Sequence, residues 1–255
     1  MTGRLAVPEV TLCAVACVNV KATLAAMKRC LAVADFGKAL LFTDAEELDL
    51  PEGIERVGIA HLGSSSAYSE FVLHQLADWI DTSHCLIVQW DGFILNPASW
   101  DDAFIGFDYI GAPWPQFDDG HDVGNGGFSL RSKRLMLAAR DSHFVDSGVA
   151  EDLVIARVNR TWLEQEKQMR FADRQLASAF SFERDREAAS PFGFHGVFNL
   201  PQAIGVDGFW DFYTSLDDKR TVWTDFWPLL RAVARGPHGL RRAIRLASDR
   251  IGLSR

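Results

Sequence analysis

The chain has 255 residues, of which 48% are hydrophobic and 24% charged, and its formal net charge is −8 at pH 7. This is the composition of an ordinary globular protein with enough residues to bury a substantial core, and it excludes a disordered chain. The acidic balance argues against nucleic acid as the main partner, and no apolar run approaches the roughly 18 residues that a transmembrane helix requires.

Short apolar segments alternate with helical patterns through the first 90 or so residues. The pattern predicts strands at 10–18, 38–42, 54–60 and 85–90 and helices at 20–33 and 68–80, the second helix capped by Ser65 or Ser66. Such alternation predicts an α/β fold with a mostly parallel central sheet flanked by helices. Ligands of such sheets bind beyond the carboxyl ends of the strands, which is where Asp44 and Asp91 fall.

The pattern is less regular after residue 100. The predicted elements are short strands at 107–111 and 128–130, a loop at 113–124, a helix from its cap Ser132 to about His143, and a turn at 191–196. A further helix is predicted to begin at Glu151, with Val154, Val158 and Trp162 on one apolar stripe.

The four cysteines are Cys13, Cys17, Cys30 and Cys85. Three of them lie in apolar stretches, and no two form a Cys-x-x-Cys pair. We therefore expect reduced thiols in a cytoplasmic protein rather than disulfides or a zinc site. The beginning of the sequence shows no secretory signal, which agrees with that expectation.

Residues 1–205 are predicted to form one domain, and 206–255 a helical extension rich in arginine. Residues 231–255 contain seven arginines and one acidic residue, with Leu240, Ile244, Leu246 and Ile251 as a loose apolar stripe. Base rates favour a helix that packs on its own domain and exposes its arginines to solvent. The alternative is that this segment contacts an anionic membrane surface or a partner protein.

Two segments contain polar residues at places where a ligand could bind. Asp91, in Gln89-Trp90-Asp91-Gly92, is a strand-end carboxylate of the kind that holds Mg²⁺ or Mn²⁺ on a nucleotide, although Asp-Gly is also a common turn. In Gly-Asn-Gly-Gly-Phe-Ser-Leu-Arg (124–131), the glycines would let the backbone approach a ligand and Asn125 would bind a sugar hydroxyl. The alternative for this second segment is a hairpin turn.

Two further segments have the same ambiguity. Glu151 and Asp152 begin a helix, where a carboxylate acts either as a cap or as a general base. His195, in Pro-Phe-Gly-Phe-His-Gly (191–196), is either a structural histidine or a ligand for a metal or phosphate.

The order of these segments along the chain, with Asp-Tyr-Ile-Gly-Ala-Pro-Trp at 108–114 between the first two, indicates a resemblance to a known family. Over about residues 10–199 the chain resembles a family of bacterial and fungal proteins of unknown function that is related to glycosyltransferases of the GT-A fold. The resemblance implies a GT-A-like, Rossmann-like sheet that binds a nucleotide-sugar. The segments at 108–114 and 124–131 are the specific part of the match, and roughly the last 55 residues are not covered.

The resemblance also implies roles for individual residues. A Mn²⁺ or Mg²⁺ ion would bridge the diphosphate of a UDP- or GDP-sugar to Asp91 and His195, and Gln89 stands where the family motif has a first Asp, which implies weak or metal-independent binding. Asp152 would be the general base of an inverting transfer, with Glu151 as the fallback. The donor nucleotide is expected on Val18, Asn19, Thr43, Asp44, Gln89, Trp90 and Asp91, and the sugar on Trp114, Asn125, Gly126, Gly127 and Phe128. Packing is an equally good explanation of the two aromatic residues.

We therefore expect a cytoplasmic glycosyltransferase of polysaccharide biosynthesis that moves a sugar to a glycan or lipid-linked glycan, located at the inner face of the membrane if the extension binds there. Gln89 favours an alternative, a catalytically inactive domain of a polysaccharide-assembly complex that binds a nucleotide-sugar or carbohydrate. A third interpretation, a metal-dependent hydrolase or nucleotidyltransferase, needs more acidic ligands than Asp91 and His195 supply.

Overall fold

The computed structural model describes residues 3–252; residues 1–2 and 253–255, the latter part of the predicted extension, lie outside the described residues. A six-stranded sheet forms the centre of the fold, in the order β3-β2-β1-β4-β7-β6. Its strands are β1 (Leu5–Val15), β2 (Ala34–Thr43), β3 (Glu55–Gly58), β4 (His84–Val88), β6 (Tyr109–Ile110) and β7 (Phe128–Ser132).

Most of this sheet is parallel. Strand β1 pairs in parallel with β2 and β4, and β2 pairs in parallel with β3. Only β7 runs the other way, since it is antiparallel to both β4 and β6. The predicted α/β fold with a mostly parallel central sheet flanked by helices is confirmed, and the parallel strands share one carboxyl edge at which a ligand can bind.

A second, small sheet was not predicted. It has the order β5-β9-β8, with β5 at Phe93–Ile94, β8 at Ser181–Phe182 and β9 at Gly193–Phe194. The prediction of a simple turn at 191–196 is therefore wrong. The cause is aromatic packing: the rings of Phe93 and Phe194 meet edge to face at 4.8 Å, which holds β9 against β5.

Ten α-helices occur among residues 3–252: α1 (Val20–Val33), α2 (Ser65–His74), α3 (Lys133–Ala138), α4 (Glu151–Leu153), α5 (Arg160–Gln165), α6 (Arg174–Phe180), α7 (Leu200–Ala203), α8 (Gly205–Ser215), α9 (Phe226–Arg235) and α10 (Gly239–Arg250). Helix α1 has the predicted bounds. The cap of α2 is Ser64, whose Oγ accepts a hydrogen bond from the N–H of Ala67, and not Ser65 or Ser66. Ser132 caps α3 as predicted, but α3 ends at Ala138 rather than near His143.

The helix predicted from Glu151 is interrupted. After α4, residues Val154–Val158 form a π-helical turn in which the N–H of Asn159 donates to the carbonyl of Val154 at 3.0 Å. The wider turn shifts the register by one residue, so Val158 is 46% exposed although its stripe predicts burial. The predicted apolar stripe through Val154, Val158 and Trp162 is wrong at its middle position.

Residues 206–252 share the core of the sheet. Phe209, Phe212 and Leu229 are buried in the same hydrophobic cluster as Leu12 of β1 and Leu86 of β4. The predicted helical character is confirmed for α8 to α10, while a domain boundary at residue 205 stays a prediction. No helix among the described residues is both long and apolar enough to cross a bilayer.

Candidate active site at the sheet edge

The site is built where the chain leaves β4 and enters β7. The N–H of Gln89 donates to the carbonyl of Gly127 at 3.0 Å, which joins the two segments directly. The small sheet brings in the third segment, because the pairing of Phe93 with Phe194 sets His195 beside the turn that holds Asp91. Backbone pairing of these three segments therefore brings Asp91, Gly127 and His195 close together.

His195 lies between acceptor oxygens on both sides of its ring. Its Nε2 is 3.4 Å from Oδ1 of Asp91 and 3.3 Å from Oε1 of Gln89. Its Nδ1 is 3.4 Å from Oε1 of Glu183, a charge contact whose geometry falls short of a hydrogen bond. Although burial disfavours the charged ring, the carboxylates of Asp91 and Glu183 outweigh it and raise the pKa of His195 to about 10.

The two glycines of the segment make room for protein side chains. A Cβ on Gly127 would lie 2.1 Å from Nε2 of His195, and a Cβ on Gly126 would lie 2.0 Å from Oε1 of Glu151. The segment is also no hairpin tip, since Gly124 donates to the carbonyl of Ala112 and Asn125 alone adopts the left-handed backbone conformation. The imidazole of His195 and the carboxylate of Glu151 therefore occupy the space that side chains at these two positions would need, while the close approach of a ligand to the glycines stays a prediction.

The carboxylates that begin α4 have different surroundings. Glu151 is buried and accepts a hydrogen bond from Arg131 at 2.8 Å, in an ion pair whose side chains are 6% and 1% exposed. Asp152 accepts from the N–H of Gly126 at 3.0 Å and from that of Leu153 at 2.8 Å. Burial, together with the negative charge of Glu151, raises the pKa of Asp152. Glu151 is thus committed to Arg131, whereas the contacts of Asp152 are with backbone N–H groups.

A cavity of about 260 Å³ opens at this place. Asp152, His195, Asn125, Gly126, Gly127 and Gln89 all line it, together with Tyr68 and Glu183. Three of the buried polar atoms that lack a hydrogen-bond partner among residues 3–252 belong to this site: Oδ1 of Asp91, Nδ1 of His195 and Nδ2 of Asn125. Native proteins satisfy nearly all such groups, so this place suits water or a polar ligand.

A second cavity, of about 320 Å³, adjoins the first. The two share Ser65, Tyr68 and Gln89 as lining residues. Four residues predicted to bind the donor nucleotide, namely Val18, Asn19, Gln89 and Trp90, line this second cavity. The amide of Asn19 also donates to the carbonyl of Asp218 at 3.2 Å and accepts from its N–H at 2.9 Å, which ties residues 218–221 to the rim.

Thr43 and Asp44 lie outside both cavities. Thr43 is buried and its hydroxyl accepts a hydrogen bond from the N–H of Ala45, as expected for a turn. Asp44 forms a hydrogen bond of 2.6 Å with His61, and this contact is the main reason why the pKa of Asp44 is lowered. Cys17 completes a group of three side chains with them, and Cys17 itself lines the second cavity. The structure thus places Asp44 beside the expected nucleotide region without lining it.

The prediction that Trp114 and Phe128 stack on the sugar is wrong, because both side chains are buried. Phe128 is fully buried and packs on the rings of Phe180 and Phe192. Trp114 is 6% exposed and packs against Phe117, over a Gly124 that has no room for a Cβ. Neither side chain lines the two cavities, because the core of the fold takes up both rings.

The residues present fit a divalent cation in part. Asp91 offers a carboxylate oxygen without a hydrogen-bond partner among the described residues, and His195 offers an imidazole nitrogen once a bound cation displaces its proton, a mixed set that suits Mn²⁺ better than Mg²⁺. Two protein ligands leave most of the coordination to phosphate oxygens and water. Among the described residues, the group of three metal-ligating side chains that lie close together is Cys17, Asp44 and His61 instead.

Three residues of the site were missed in the sequence. Tyr68 accepts a hydrogen bond from Gln89 at 3.2 Å and stands between the two cavities. Glu183 faces His195, and Arg131 pairs with Glu151. Of the three, only Arg131 had a signal in the sequence. It lies in an apolar strand two residues after Phe128-Ser129, and a buried arginine requires a buried acidic partner.

Comparison with known proteins matches this chain to a family of unknown function and to solved structures that include a distant one. A family model described as "Protein of unknown function (DUF5672)" matches residues 53–195, the range from β3 to His195. No curated protein matches the sequence. A solved structure described as a glycosyltransferase involved in the glycosylation of the major capsid of PBCV-1 is 11% identical and has a TM-score of 0.41, over 73% of this chain and 92% of that one.

Proposed function

This chain belongs to the DUF5672 family of proteins of unknown function, and we propose that it is a glycosyltransferase that uses a nucleotide-sugar donor. One observation carries the proposal: Asp152 and His195, far apart in the sequence, line a single cavity, and Asp91 contacts His195 at 3.4 Å. The adjoining cavity between Val18 and Trp90 gives the nucleotide a place at the carboxyl edge of the sheet.

The diphosphate of a UDP- or GDP-sugar would lie near Asp91 and His195. Asp91 and His195 would hold a Mn²⁺ or Mg²⁺ ion there, and the bound ion would stabilise the charge that the leaving diphosphate gains in the transition state. Glu183 orients the imidazole from its other side, as carboxylates behind metal-bound histidines commonly do. Gln89 replaces a second carboxylate with an amide, so we expect the cation to bind weakly.

Asp152 would remove the proton from the attacking hydroxyl of the acceptor. The pKa of Asp152 is raised toward neutral pH, where a general base is most effective. Such a base increases the reaction rate by ~10²–10⁴-fold. Asn125 accepts a hydrogen bond from the N–H of Gly127 through its Oδ1, and its Nδ2 has no hydrogen-bond partner among residues 3–252, so Nδ2 would donate to a sugar hydroxyl. A single base without a protein nucleophile corresponds to inversion at the anomeric carbon.

In this proposal the acceptor is a glycan or a lipid-linked glycan. The reaction would take place in the cytoplasm, as part of polysaccharide biosynthesis. The cavity beside Asp152 is lined by the hydroxyl-bearing side chains of Ser65, Ser69 and Tyr68, which would hydrogen-bond to hydroxyl groups of a glycan.

A second function is favoured by the contacts of Gln89. Its amide donates to Tyr68 and its carbonyl faces His195, so both ends of the side chain are held by the protein. A catalytically inactive domain that binds a nucleotide-sugar or carbohydrate would need this fixed polar group and no strong cation site.

The two functions are separated by measuring donor binding and product formation together. We expect UDP- or GDP-sugars to raise the melting temperature, more so with Mn²⁺, and the protein to release free nucleoside diphosphate from one of them. Asp91→Ala should abolish this release, while Asp44→Ala, which changes a carboxylate outside both cavities, should retain it.

Donor binding without any release of nucleoside diphosphate, with or without acceptor glycans, would support the inactive domain. Release of pyrophosphate would instead indicate nucleotidyl transfer. An absence of stabilisation by every nucleotide-sugar tested would refute the transferase, and an absence of stabilisation by every glycan tested as well would also refute the inactive domain.

A further inference from the structure

Four large apolar side chains are exposed around the last two helices. The exposed fractions are 63% for Trp227 of α9, 78% for Leu240 and 58% for Ile244 of α10, and 68% for Ile251 directly after α10. Isolated apolar residues on a surface are ordinary, whereas several on one side of the same helix mark a contact surface.

Three of these residues form a stripe along α10. Leu240, Ile244 and Ile251 are separated by four and seven residues, which at 3.6 residues per turn places them on one side of the helix. Leu246 points to the other side and is fully buried in the protein core. Helix α10 therefore has two apolar sides, one of which the described part of the chain leaves uncovered.

Arginines border the exposed stripe. Arg241 and Arg245 follow Leu240 and Ile244 directly and are exposed, and neither has a described carboxylate within 4.0 Å. Asp249 is the one acidic residue of α9 and α10, and its side chain is 4% exposed and pairs with Lys219. The outward side of α10 is thus apolar and positively charged, although the whole chain has a net charge of −8.

We propose that this basic apolar face (Leu240, Arg241, Ile244, Arg245 and Ile251) docks on an anionic lipid surface. Apolar side chains bordered by arginines are what a helix needs to lie in a bilayer interface, because the apolar groups enter the acyl boundary while the guanidinium groups meet lipid phosphates. The acidic remainder of the chain opposes adsorption to a negative surface, so docking depends on the local charge of this face. The docking is independent of the proposed sugar transfer.

The test is co-sedimentation of the full chain with phosphatidylcholine vesicles that contain, or lack, about one-third phosphatidylglycerol. We expect binding to the anionic vesicles, weakened by about tenfold or more in neutral vesicles and in Arg241→Glu/Arg245→Glu. A second variant, Leu240→Ser/Ile244→Ser, should weaken binding while keeping the charge. Val145→Ser/Val149→Ser removes exposed apolar groups elsewhere and should bind as the wild type does.

All six substituted side chains of these variants are exposed, so an unchanged melting temperature shows that each variant folds. If one arginine or apolar variant fails to fold, the other still tests the face. Failure to bind anionic vesicles, equal binding to neutral vesicles, or unchanged binding in both variants would overturn the proposal. Sedimentation as a dimer that dissociates in Leu240→Ser/Ile244→Ser would overturn it in favour of a second copy of the chain.

Discussion

A Cβ atom on Gly127 would lie 2.1 Å from Nε2 of His195. The distance is far below any tolerated contact, so an alanine at this position requires the imidazole or the backbone of β7 to move. Since His195 also contacts Gln89 and Asp91, the movement would separate the groups on which donor binding is proposed to depend.

We therefore predict that Gly127→Ala weakens donor binding by roughly tenfold or more, with a loss of about 1–3 kcal/mol in the free energy of unfolding from overpacking. Thermal shift and urea unfolding measure the two effects. Gly106→Ala is the control, because its nearest neighbour is the end of a flexible arginine at 3.9 Å. Unchanged donor binding in Gly127→Ala would contradict the proposed role of His195.

Asp152 should determine the acid limb of the pH–rate profile. The base must be deprotonated, and its raised pKa places the loss of activity above the value of about 3.9 typical of an aspartate. Asp152→Asn should lower kcat by about 10²–10⁴-fold and leave donor affinity within roughly twofold. Because Asp152 also holds the N–H groups of Gly126 and Leu153, the melting temperature of the variant must be measured alongside. Near wild-type transfer would exclude Asp152 as the base.

Glu151 is expected to act on stability rather than on the chemical step. Glu151→Ala leaves the guanidinium of Arg131 buried without its carboxylate, which costs about 3–5 kcal/mol of the free energy of unfolding. The double variant Arg131→Met/Glu151→Ala should lose less than the two single variants together, since it removes both charges. Urea unfolding of the four proteins measures the coupling. A stable Glu151→Ala protein that has lost turnover would make Glu151 the base instead.

The parallel half of the fold could be predicted because its signals are local. Helix α1 has the predicted bounds, and β4 and β2 lie where apolar runs end in polar residues. The π-helical turn at Val154–Val158 could not be predicted, because its extra residue depends on Asn159, whose side chain bonds the carbonyls of Val145 and Val154. Hydrophobic periodicity has no means of anticipating such a tertiary contact.

The residues of the site also divide into those with a local signal in the sequence and those without one. Asp91 and the loop at 124–127 could be located because strand ends and glycines are visible in the sequence. Trp114 and Phe128 were assigned to the sugar, but an aromatic residue beside a functional loop is indistinguishable by sequence from one in the core under that loop. Glu183 and Tyr68 reach the site through the pairing of β8 with β9 and through α2, and no local pattern announces either one.

Asp108, in the segment Asp-Tyr-Ile-Gly-Ala-Pro-Trp, holds the fold together at the opposite end of β7. It accepts hydrogen bonds from Arg134 at 2.6 Å and from the N–H of Arg170 at 2.8 Å, as well as from Ser132. Burial opposes ionisation, but these donors outweigh it and keep the pKa of Asp108 below its usual value. The first residue of the motif at 108–114 is thus explained by its hydrogen bonds.

We predict that Asp108→Asn lowers the free energy of unfolding by roughly 1–3 kcal/mol at pH 7. Because the folded pKa is depressed, the unfolded chain binds the proton more tightly, so the stabilisation is complete above the usual Asp pKa of about 3.9 and is lost as pH falls through the folded value. Urea unfolding at a series of pH values should show the two proteins converging below about pH 4. A constant difference across that range would mean that the charge of Asp108 contributes nothing.

Cys17 provides a test of the nucleotide cavity that needs no turnover. Cys13, Cys30 and Cys85 are fully buried, whereas Cys17 is half-buried and lines the cavity beside Val18 and Asn19. We predict that a thiol reagent modifies Cys17 first in the native protein, slowly at neutral pH because burial raises the pKa of this thiol.

A bound nucleotide should slow this modification, because the ligand would cover the lining of the cavity. The rate of modification is followed with a chromogenic disulfide, with and without UDP- or GDP-sugar. Cys17→Ser should remove the first phase of modification altogether. Modification of Cys17 at the same rate with saturating nucleotide would place the nucleotide elsewhere. If instead Cys17→Ser left the first phase of modification intact, one of the three buried thiols would have to be reached by local opening of the core.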